Sequence, residues 1–517
     1  MRATAGPRQI EDVTRGFMGA AIPARARRRV DGMLMRPDAH PMRVVPVLGP
    51  VLVGLVALAV YALPGLPTPA AHWPLWDVRV YWWGGRQAAA DGGALYAPGA
   101  PFSFTYPPFA ALLFSAGAAA QAGAMKIALT AGSLVALTVL CGQALAAAGI
   151  RRRPEVVFAV SALALQTRPV AYSLHLGEVN LILAVLIGAD LLRRRDGAWW
   201  QGIGTGLAAG IKLTPLIFVA YLALTGRLRA AAVAAGTFAV TVAAGFSGLP
   251  GPSRTFWLGR VFYDQNRIGD PANPSDQSLS GAVARLAGTG DPPRVWWLVA
   301  VSAVGLAGLA VAIWAHRRGY RMAGLLCCAV TGLLVSPISW THHWVWAVPL
   351  LVWLGAAAWR RRSAAWALAA LTAAVVFFDY TPLPWPGHPA DPVRMVASDL
   401  YVLFGLAVLG TVGVALARGR SPDLPEGPDS CDQAEHERGQ RGLGRCDVQQ
   451  AAVDHVDVRA DDGPQRLGHH ARTRDLRVRQ VLSEEQGRVA AHALRLPGMH
   501  GLADRSAVTV GEAHRLA

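Results

Sequence analysis

The sequence predicts an all-α polytopic membrane protein. Its composition is 53% hydrophobic and only 16% charged, with a mean hydropathy of +0.32, whereas a soluble domain carries roughly 25% charged residues. Apolar runs that approach or exceed the roughly 20 residues needed to cross a bilayer recur through the first four-fifths of the chain. These runs are continuous and rich in Ala, Leu and Val. A β-barrel would instead show short segments of alternating polarity.

The net charge of +16 follows the distribution expected of a membrane protein. Arginines stand in short groups beside apolar runs, as the positive-inside rule predicts. The groups are Arg151–Arg153, Arg193–Arg195, Arg227 with Arg229, Arg317–Arg318 with Arg321, Arg360–Arg362 and Arg418 with Arg420. We therefore predict no nucleic-acid partner. The five cysteines show no CxxC spacing, which indicates neither a zinc motif nor a disulfide framework.

The chain divides into three regions. Residues 1–43 form a basic arm, either cytosolic or the product of a start assigned too early, with Met33, Met35 or Met42 as the true start. Residues 44–417 hold about 11–13 candidate membrane segments. Residues 418–517 lack a membrane-length run and are predicted to be a disordered cytosolic tail. Translation of that tail in a wrong frame is the alternative.

The order of the apolar runs places the segment 76–108 outside the cell. The first run, about 44–66, carries Arg43 at its inner flank, so its far end faces outward. The run 109–121 is then either re-entrant or interfacial, or one basic cluster is not cytoplasmic. The run 202–224 has arginines at both ends and is expected to be bent or doubled back. The remaining runs lie near 125–150, 156–174, 179–192, 230–246, 296–315, 322–340, 344–359, 364–378 and 396–417.

The segment 76–108 is the expected active-site loop, because it is polar, aromatic and rich in Gly and Pro between two apolar runs. Asp77, followed by Arg79 and Tyr81, can accept a proton from a hydroxyl nucleophile. The structural alternative is that Asp77 caps a short helix. Asp91 stands in an Asp-Gly-Gly sequence and is expected to be a turn residue. Tyr106 precedes Pro107 and Pro108, which predict a stiff return to the membrane.

Polar residues at membrane depth are costly and tend to be functional. His342 and His343 lie at the outer end of an apolar run and can hydrogen-bond a phosphate or a sugar hydroxyl. A metal site is an alternative, but adjacent histidines alone are a weak signal because zinc takes three or four ligands, and we predict no metal. The structural alternative is that the histidines and neighbouring aromatic residues anchor the chain at the membrane interface. Lys212 is a lone cation in an apolar run, and it either pairs, for instance with a lipid phosphate, or snorkels to the surface.

Two further sets of polar residues either bind substrate or are solvated loop residues. The first group lies between two runs and consists of Arg168, His175, Glu178 and Asn180. The second is the loop 276–281, DQSLSG, together with Arg285.

Taken together, these stretches resemble one family. The motifs are WDVRVYW, GGALYAP, FTYPPFAALL, LGEVNLILAVLI, GLAAGIKLTPLIFVAYL, DQSLSGAVARL and SPISWTHHWVWAVPLL, in that order across residues 44–417. The chain is similar to the polyprenol-phosphate-mannose-dependent α-mannosyltransferases of actinobacteria, glycosyltransferase family 87, which have the multi-span GT-C fold. One departure is Glu178, since the family usually has Gln in the Gly-Gln-x-Asn sequence.

The resemblance implies an inverting transfer of mannose from a polyprenyl phosphate to a glycolipid or lipoglycan hydroxyl, in an α-1,2 linkage and without a cofactor. Asp77 would be the base, at the outer face of a plasma membrane that the chain crosses many times. Groups that stabilise the leaving phosphate would include His342, His343, Lys212 and Arg168. The expected substrate-binding residues also include Tyr81, Tyr106, Glu178 and Asn180. Membrane lipids are the remaining expected partners.

Two other functions are consistent with the same composition. A transporter or lipid flippase would also have many spans and intramembrane charges, but it would show matching broken helices in two halves. A GT-C transferase for another lipid-linked sugar would differ only in a few pocket hydrogen bonds. A structural scaffold would leave the polar residues of the outer face unexplained.

Overall fold

The computed structural model describes residues 48, 50–56, 75–97, 100, 102–193, 197–259, 261–263, 267–378, 383–386 and 391–419. Most of the predicted first span, the basic arm and nearly all of the predicted tail therefore lie outside the described residues. Within the described ranges the backbone forms helices and no strands, which confirms the all-α fold class.

Seventeen labelled α-helices follow a helical stretch at 50–56. They are α1 (Trp76–Ala90), α2 (Pro108–Ser115), α3 (Ala122–Ala147), α4 (Pro154–Leu165), α5 (Arg168–Leu176), α6 (Asn180–Leu191), α7 (Ile203–Ile211), α8 (Leu216–Leu224), α9 (Leu228–Gly248), α10 (Pro250–Trp257), α11 (Leu279–Ala287), α12 (Arg294–Arg317), α13 (Arg321–Val335), α14 (Ala347–Arg361), α15 (Ala364–Phe378), α16 (Pro392–Ser398) and α17 (Leu400–Ala417). Short 3₁₀ helices lie at Val261–Tyr263 and Thr341–His343.

Four of the described helices are long and apolar enough to cross a membrane: α3, α9, α12 and α17. Helices α4, α6, α13 and α15 are apolar but shorter. Several predicted runs are divided, because a Pro or a polar residue interrupts them. The run 156–174 becomes α4 and α5, and the run 396–417 becomes α16 and α17. The total of about 11–13 segments stays a prediction.

The two runs that did not fit a simple topology are short helices. The run 109–121 contains α2, whose eight residues span about 12 Å, well short of the roughly 30 Å hydrocarbon core. This length fits the re-entrant or interfacial alternative. The run 202–224 breaks into α7 and α8 at Lys212, which has extended backbone angles and is followed by Thr214 and Pro215. The expected bend is confirmed.

Small residues let α7 pack closely between α6 and α9. A Cβ at Gly204 would collide with the carbonyl oxygen of Leu186 in α6, and one at Gly206 would collide with that of Ala234 in α9. Inside a membrane the lipid is as apolar as the helices, so there is no hydrophobic driving force for their association. Membrane helices instead associate by close backbone packing through small residues such as Gly and Ala. The C-terminal end of α7, with Lys212, is thereby fixed against the neighbouring helices.

Candidate active site

Asp77 lies in the first turn of α1, not in an irregular loop. The helix begins after Leu75, which has left-handed backbone angles (φ 48°, ψ 49°) that non-glycine residues seldom adopt. The Leu75 N–H donates to the carbonyl oxygen of His175 (3.2 Å), which ties the start of α1 to the end of α5. Asp77 is not the N-cap and its side chain makes no capping bond. The capping interpretation is therefore wrong, and the carboxyl is partly buried.

A tight turn between α5 and α6 holds Glu178 near α1. Gly177 closes α5 with a left-handed conformation (φ 77°), and a Cβ there would collide with Val78, the residue after Asp77. Only glycine allows this conformation and this close contact without strain. Glu178 follows at once and is 3% exposed, so its carboxylate is directed into the protein beside the first turn of α1.

Lys212 pairs with Glu178 at the centre of the site. The Lys212 Nζ lies 3.3 Å from Oε2 and 3.4 Å from Oε1 of Glu178. It also lies 3.1 Å from Oδ1 of Asn180 and 3.2 Å from Nε2 of His343. One ammonium is thus surrounded by oxygen and nitrogen acceptors from two segments of the chain, 178–180 and the turn at His343. We refer to Glu178, Asn180, Lys212, His342 and His343 as the lysine cluster.

A chain of tyrosine hydroxyls connects α1 to the lysine cluster. Tyr106 donates to Oε1 of Glu178 (3.1 Å), and the Tyr81 and Tyr106 hydroxyl oxygens are 3.0 Å apart. The two rings meet edge to face, and both side chains are buried. Phe104, beside Tyr106, fills the space next to Gly84 in α1. The stretch from Phe104 to Tyr106 therefore contributes both packing and a polar contact to the site.

His342 and His343 form a 3₁₀ turn that faces Glu178. Their Nε2 atoms lie 3.9 Å and 3.8 Å from Oε1 of Glu178. The Nδ2 of Asn180 donates to the carbonyl oxygen of His342 (3.0 Å), which fixes the turn to the start of α6. Helix α5 also packs against this turn, so the histidines are held from two sides.

The loop around Asp276 supports the histidine turn from behind. Asp276 is fully buried and its Oδ1 accepts the N–H of Ser339 (2.7 Å), while the N–H of Gln277 donates to the Ser339 carbonyl (2.8 Å). The Thr341 N–H donates to the carbonyl of Ser275 (2.9 Å). The solvated interpretation of this loop is wrong, because residues 276–281 are buried and the side chains of Asp276, Gln277 and Ser278 make internal hydrogen bonds.

Arg285 completes that support through a partner that no sequence motif indicated. Its guanidinium pairs with Asp399, just before α17, and donates to the carbonyl oxygens of Asn273 and Asp276 (both 2.9 Å). Its side chain is 1% exposed. Buried charges are tolerated when they are paired and hydrogen-bonded, so the role of Arg285 here is to hold the loop.

The charges of the site are set by burial and by the lysine. Burial first and then the Glu178 carboxylate raise the pKa of Asp77 to about 8, against the opposing effect of Lys212. Burial acts to raise the pKa of Glu178 as well, but Lys212 and the two histidines outweigh it and hold that pKa well below its usual range. Burial also lowers the pKa of His342, to about 3. At neutral pH Glu178 is therefore ionised and both imidazoles are neutral.

An apolar groove opens from the lysine cluster. About 530 Å³ of space, part of it open to solvent, lies between α6, α8 and α13. Its polar end is formed by Asn180, Lys212 and His343, and the rest is largely apolar, with Ala184 and Phe218 among the lining residues. A groove with a cationic end and an apolar remainder suits an amphiphile that has an anionic head and a hydrocarbon tail.

The predicted site residues are largely brought together. Contacts join Tyr81, Tyr106, Glu178, Asn180, Lys212, His342 and His343. Arg168 is buried in the first turn of α5, with its guanidinium 5.5 Å from the ring centroid of Tyr172. Asp91 accepts the N–H of Gly93 (2.8 Å), which confirms the turn.

The sequence is similar to those of known proteins. A family model described as glycosyltransferase family 87 matches residues 104–337. This range includes Tyr106, Glu178 and Lys212, and it ends just before the histidine turn. No solved structure matches the chain.

Three curated relatives carry related names. A polyprenol-phosphate-mannose-dependent alpha-(1-2)-phosphatidylinositol mannoside mannosyltransferase of Mycobacterium tuberculosis is 35% identical, over 67% of this chain and 86% of the relative. A protein of the same name from Mycolicibacterium smegmatis is 34% identical, over 68% of this chain and 86% of the relative. A polyprenol-phosphate-mannose-dependent alpha-(1-2)-phosphatidylinositol pentamannoside mannosyltransferase of Mycolicibacterium smegmatis is 34% identical, over 54% of this chain and 68% of the relative. All three are named as transferases, so the transporter interpretation is not supported.

Proposed function

The chain belongs to glycosyltransferase family 87, and from that premise we propose how its site transfers mannose. The donor is mannose on a polyprenyl phosphate, the acceptor is a hydroxyl of a phosphatidylinositol mannoside, and the product linkage is α-1,2. The relatives named above carry this donor and acceptor class in their names. The observation that carries the proposal is the lysine cluster at the polar end of the apolar groove.

The donor lies with its phosphate at the lysine cluster and its first isoprene units in the groove. Lys212 provides a point positive charge, and the Nδ2 of Asn180 and the imidazoles of His342 and His343 are hydrogen-bonding groups within the same few ångströms. The groove runs beside α6, α8 and α13, where apolar side chains replace water around the hydrocarbon. The remainder of the long tail extends into lipid.

Asp77 acts as the general base. Its carboxylate removes the proton from the acceptor hydroxyl as that oxygen bonds to the anomeric carbon, and the bond from this carbon to the donor phosphate oxygen breaks. Attack from the face opposite the phosphate inverts the configuration, so a β-linked donor gives an α-linked product. A base with a raised pKa accepts a proton more readily when it is ionised, and the pKa of Asp77 is about 8 because of burial and the Glu178 charge.

The leaving group is a phosphate monoester, whose negative charge grows as the glycosidic bond breaks. The histidine turn stabilises that charge from a fixed position, and the Lys212 ammonium pairs with it from the end of a long side chain. Such groups, already in place before the reaction, are commonly the largest contribution to catalysis. The rigid support from Asp276 and Arg285 keeps the histidines from relaxing away. Tyr106 holds the carboxylate of Glu178 by a hydrogen bond, and Tyr81 contacts the Tyr106 hydroxyl.

The chain crosses the plasma membrane several times, and its site lies at the outer face. The four long apolar helices and the arginine groups beside them support this orientation, since basic residues concentrate on the cytoplasmic side. The donor and acceptor both reside in the membrane, which makes membrane lipids a further partner of the groove.

The experiment is mannose transfer by the purified full-length protein in lipid nanodiscs. Radiolabelled polyprenyl phosphate mannose and a phosphatidylinositol mannoside acceptor are supplied to the wild type, to Asp77→Asn and to the matched control Asp91→Asn, which alters an exposed turn residue on the same stretch. We expect labelled product from the wild type and the control and a loss of about 100-fold or more for Asp77→Asn. Equal transfer by Asp77→Asn removes this residue as the base. Absence of transfer by the wild type overturns the proposed donor and acceptor.

A further inference from the structure

Three side chains of the lysine cluster have the donor set of a transition-metal site. Among the residues that the structure describes, Glu178, His342 and His343 form the group of three potential ligands whose coordinating atoms lie within 4.8 Å of one another. The two Nε2 atoms approach the same carboxylate oxygen, Oε1 of Glu178, at 3.9 Å and 3.8 Å. Two imidazole nitrogens and one carboxylate are a common protein ligand set of a zinc ion that keeps an open fourth position.

The distances from the two imidazole nitrogens to Oε1 fit a small divalent cation after a modest contraction, and all three ligand atoms lie within 4.8 Å of one another. With metal–nitrogen and metal–oxygen bonds of about 2.0–2.2 Å in tetrahedral geometry, the ligand atoms lie roughly 3.4 Å apart. The observed distances to Oε1 exceed this by about 0.5 Å. The carboxylate is nearly buried, and both histidines are partly buried. Their positions are set by the Asn180 bond to the turn and by the Ser339 bond to Asp276.

The Lys212 ammonium now occupies the cation position of this group. It lies 3.2 Å from Nε2 of His343 and 3.3–3.4 Å from both oxygens of Glu178. A contact of that length between an ammonium and Nε2 requires that this nitrogen present its lone pair, as a metal ligand does. The cluster therefore already binds one cation, and the lysine side chain is long enough to move aside.

The balance of charge favours a second cation when an anion enters. Glu178 and the donor phosphate are both anions, and within the lysine cluster Lys212 is the one permanent cation that serves them. If Lys212 follows the phosphate, the Glu178 carboxylate loses its partner while it is buried, which is costly. A divalent cation on Glu178 and the histidines would compensate that carboxylate and leave a coordination position directed at the phosphate.

We propose that Glu178, His342 and His343 bind a divalent transition metal of the zinc class, in competition with the Lys212 ammonium. The binding itself does not depend on the proposed mannosyl transfer. Its placement beside the donor phosphate does rest on the proposed function. Nitrogen ligands favour zinc and cobalt over magnesium and calcium, which prefer oxygen.

The test measures metal binding without any donor. Full-length protein in detergent is stripped with a chelator, exchanged into metal-free buffer and titrated with Zn²⁺, and with Co²⁺ for its visible absorption in a tetrahedral site. Other histidines can bind metal, so the wild type is compared with Glu178→Gln and with the matched control Glu155→Gln at the start of α4. We expect about one equivalent less metal bound tightly in Glu178→Gln, and at least a 10- to 100-fold weaker site.

Lys212→Met provides a readout that misfolding cannot imitate. Removing the competing ammonium should tighten Zn²⁺ binding at least about tenfold, and Zn²⁺ should raise the melting temperature of this variant more than that of the wild type. A gain of affinity cannot arise from an unfolded site. His343→Gln is expected to lose the Co²⁺ absorption band in the wild-type and in the Lys212→Met background.

The outcomes separate this inference from the proposed function. Equal metal content and equal affinity in the wild type and Glu178→Gln would overturn the metal site, and so would unchanged or weaker Zn²⁺ binding by Lys212→Met. Mannose transfer in a chelator by a wild type that binds no metal would keep the function and reject the site. Metal binding by a protein that transfers no mannose would keep the site and reject the function.

Discussion

Replacing Lys212 by Met tests the ion pair on which the site depends. The pair is buried, with side chains 16% and 4% exposed for Lys212 and Glu178. At their 3.3 Å separation the Coulomb attraction is about 5 kcal/mol for an effective dielectric constant of about 20. Removal of one member leaves the other charge buried without a partner, and such changes lower the stability of the folded protein by about 3–5 kcal/mol. We therefore expect Lys212→Met to lower the free energy of unfolding by about that amount.

The double variant Lys212→Met/Glu178→Gln separates stability from function. It removes the stranded carboxylate, so it should recover most of the lost free energy of unfolding. It should not recover mannose transfer, because the cation for the leaving phosphate is still missing. The assay is thermal or denaturant unfolding of all four proteins of the cycle in the same detergent with EDTA, alongside transfer from polyprenyl phosphate mannose.

The two halves of this experiment can fail separately. A double variant as unstable as Lys212→Met, with no coupling between the substitutions, would refute the ion pair. Full transfer by Lys212→Met would refute the role of the ammonium toward phosphate, whatever the stability data show.

Two further predictions concern the base and the groove. Transfer needs Asp77 ionised, and its pKa is raised to about 8 by burial and by Glu178, so kcat/KM should rise with pH and level off above about 8. In Glu178→Gln the inflection should move to lower pH, because one of the two causes is removed, and an unmoved inflection would exclude that coupling. In the groove, Ala184→Trp should raise KM for the long-chain donor at least about tenfold, a loss of about 1.4 kcal/mol. The KM for a short-chain donor should rise less. The control is Ala239→Trp, on the exposed face of α9. An equal KM for the long-chain donor in both variants would place the tail outside the groove.

The fold class and the family could be predicted from the sequence because they depend on local patterns. Continuous apolar runs with arginines at their ends predict membrane helices, and a set of motifs in order indicates a family. A bend in the run 202–224 was also expected, because arginines stand at both of its ends. The main interpretation placed Asp77 in a loop, because the Trp, Gly and Tyr content of this stretch resembles a loop, and a short helix entered only as the capping alternative.

The contacts of the site could not be predicted from such patterns. Lys212 and His343 are 131 residues apart in sequence and Tyr106 and Glu178 are 72 apart, and periodicity gives no information about pairs at this separation. The loop at Asp276 consists, apart from Leu279, of polar and small residues that are typical of solvated loops. Its burial follows from the partnership of Arg285 with Asp399, which is 114 residues away.

The most direct test of the account is a cryo-electron microscopy structure of the protein with a non-transferable polyprenyl phosphate mannose analogue in a nanodisc. The account predicts the phosphate within hydrogen-bonding distance of Lys212 and His343, and the first isoprene units along Ala184 and Phe218 in the groove. The anomeric carbon should lie on the side of the phosphate that faces Asp77. A phosphate bound away from the lysine cluster, or a tail outside the groove between α6, α8 and α13, would contradict it.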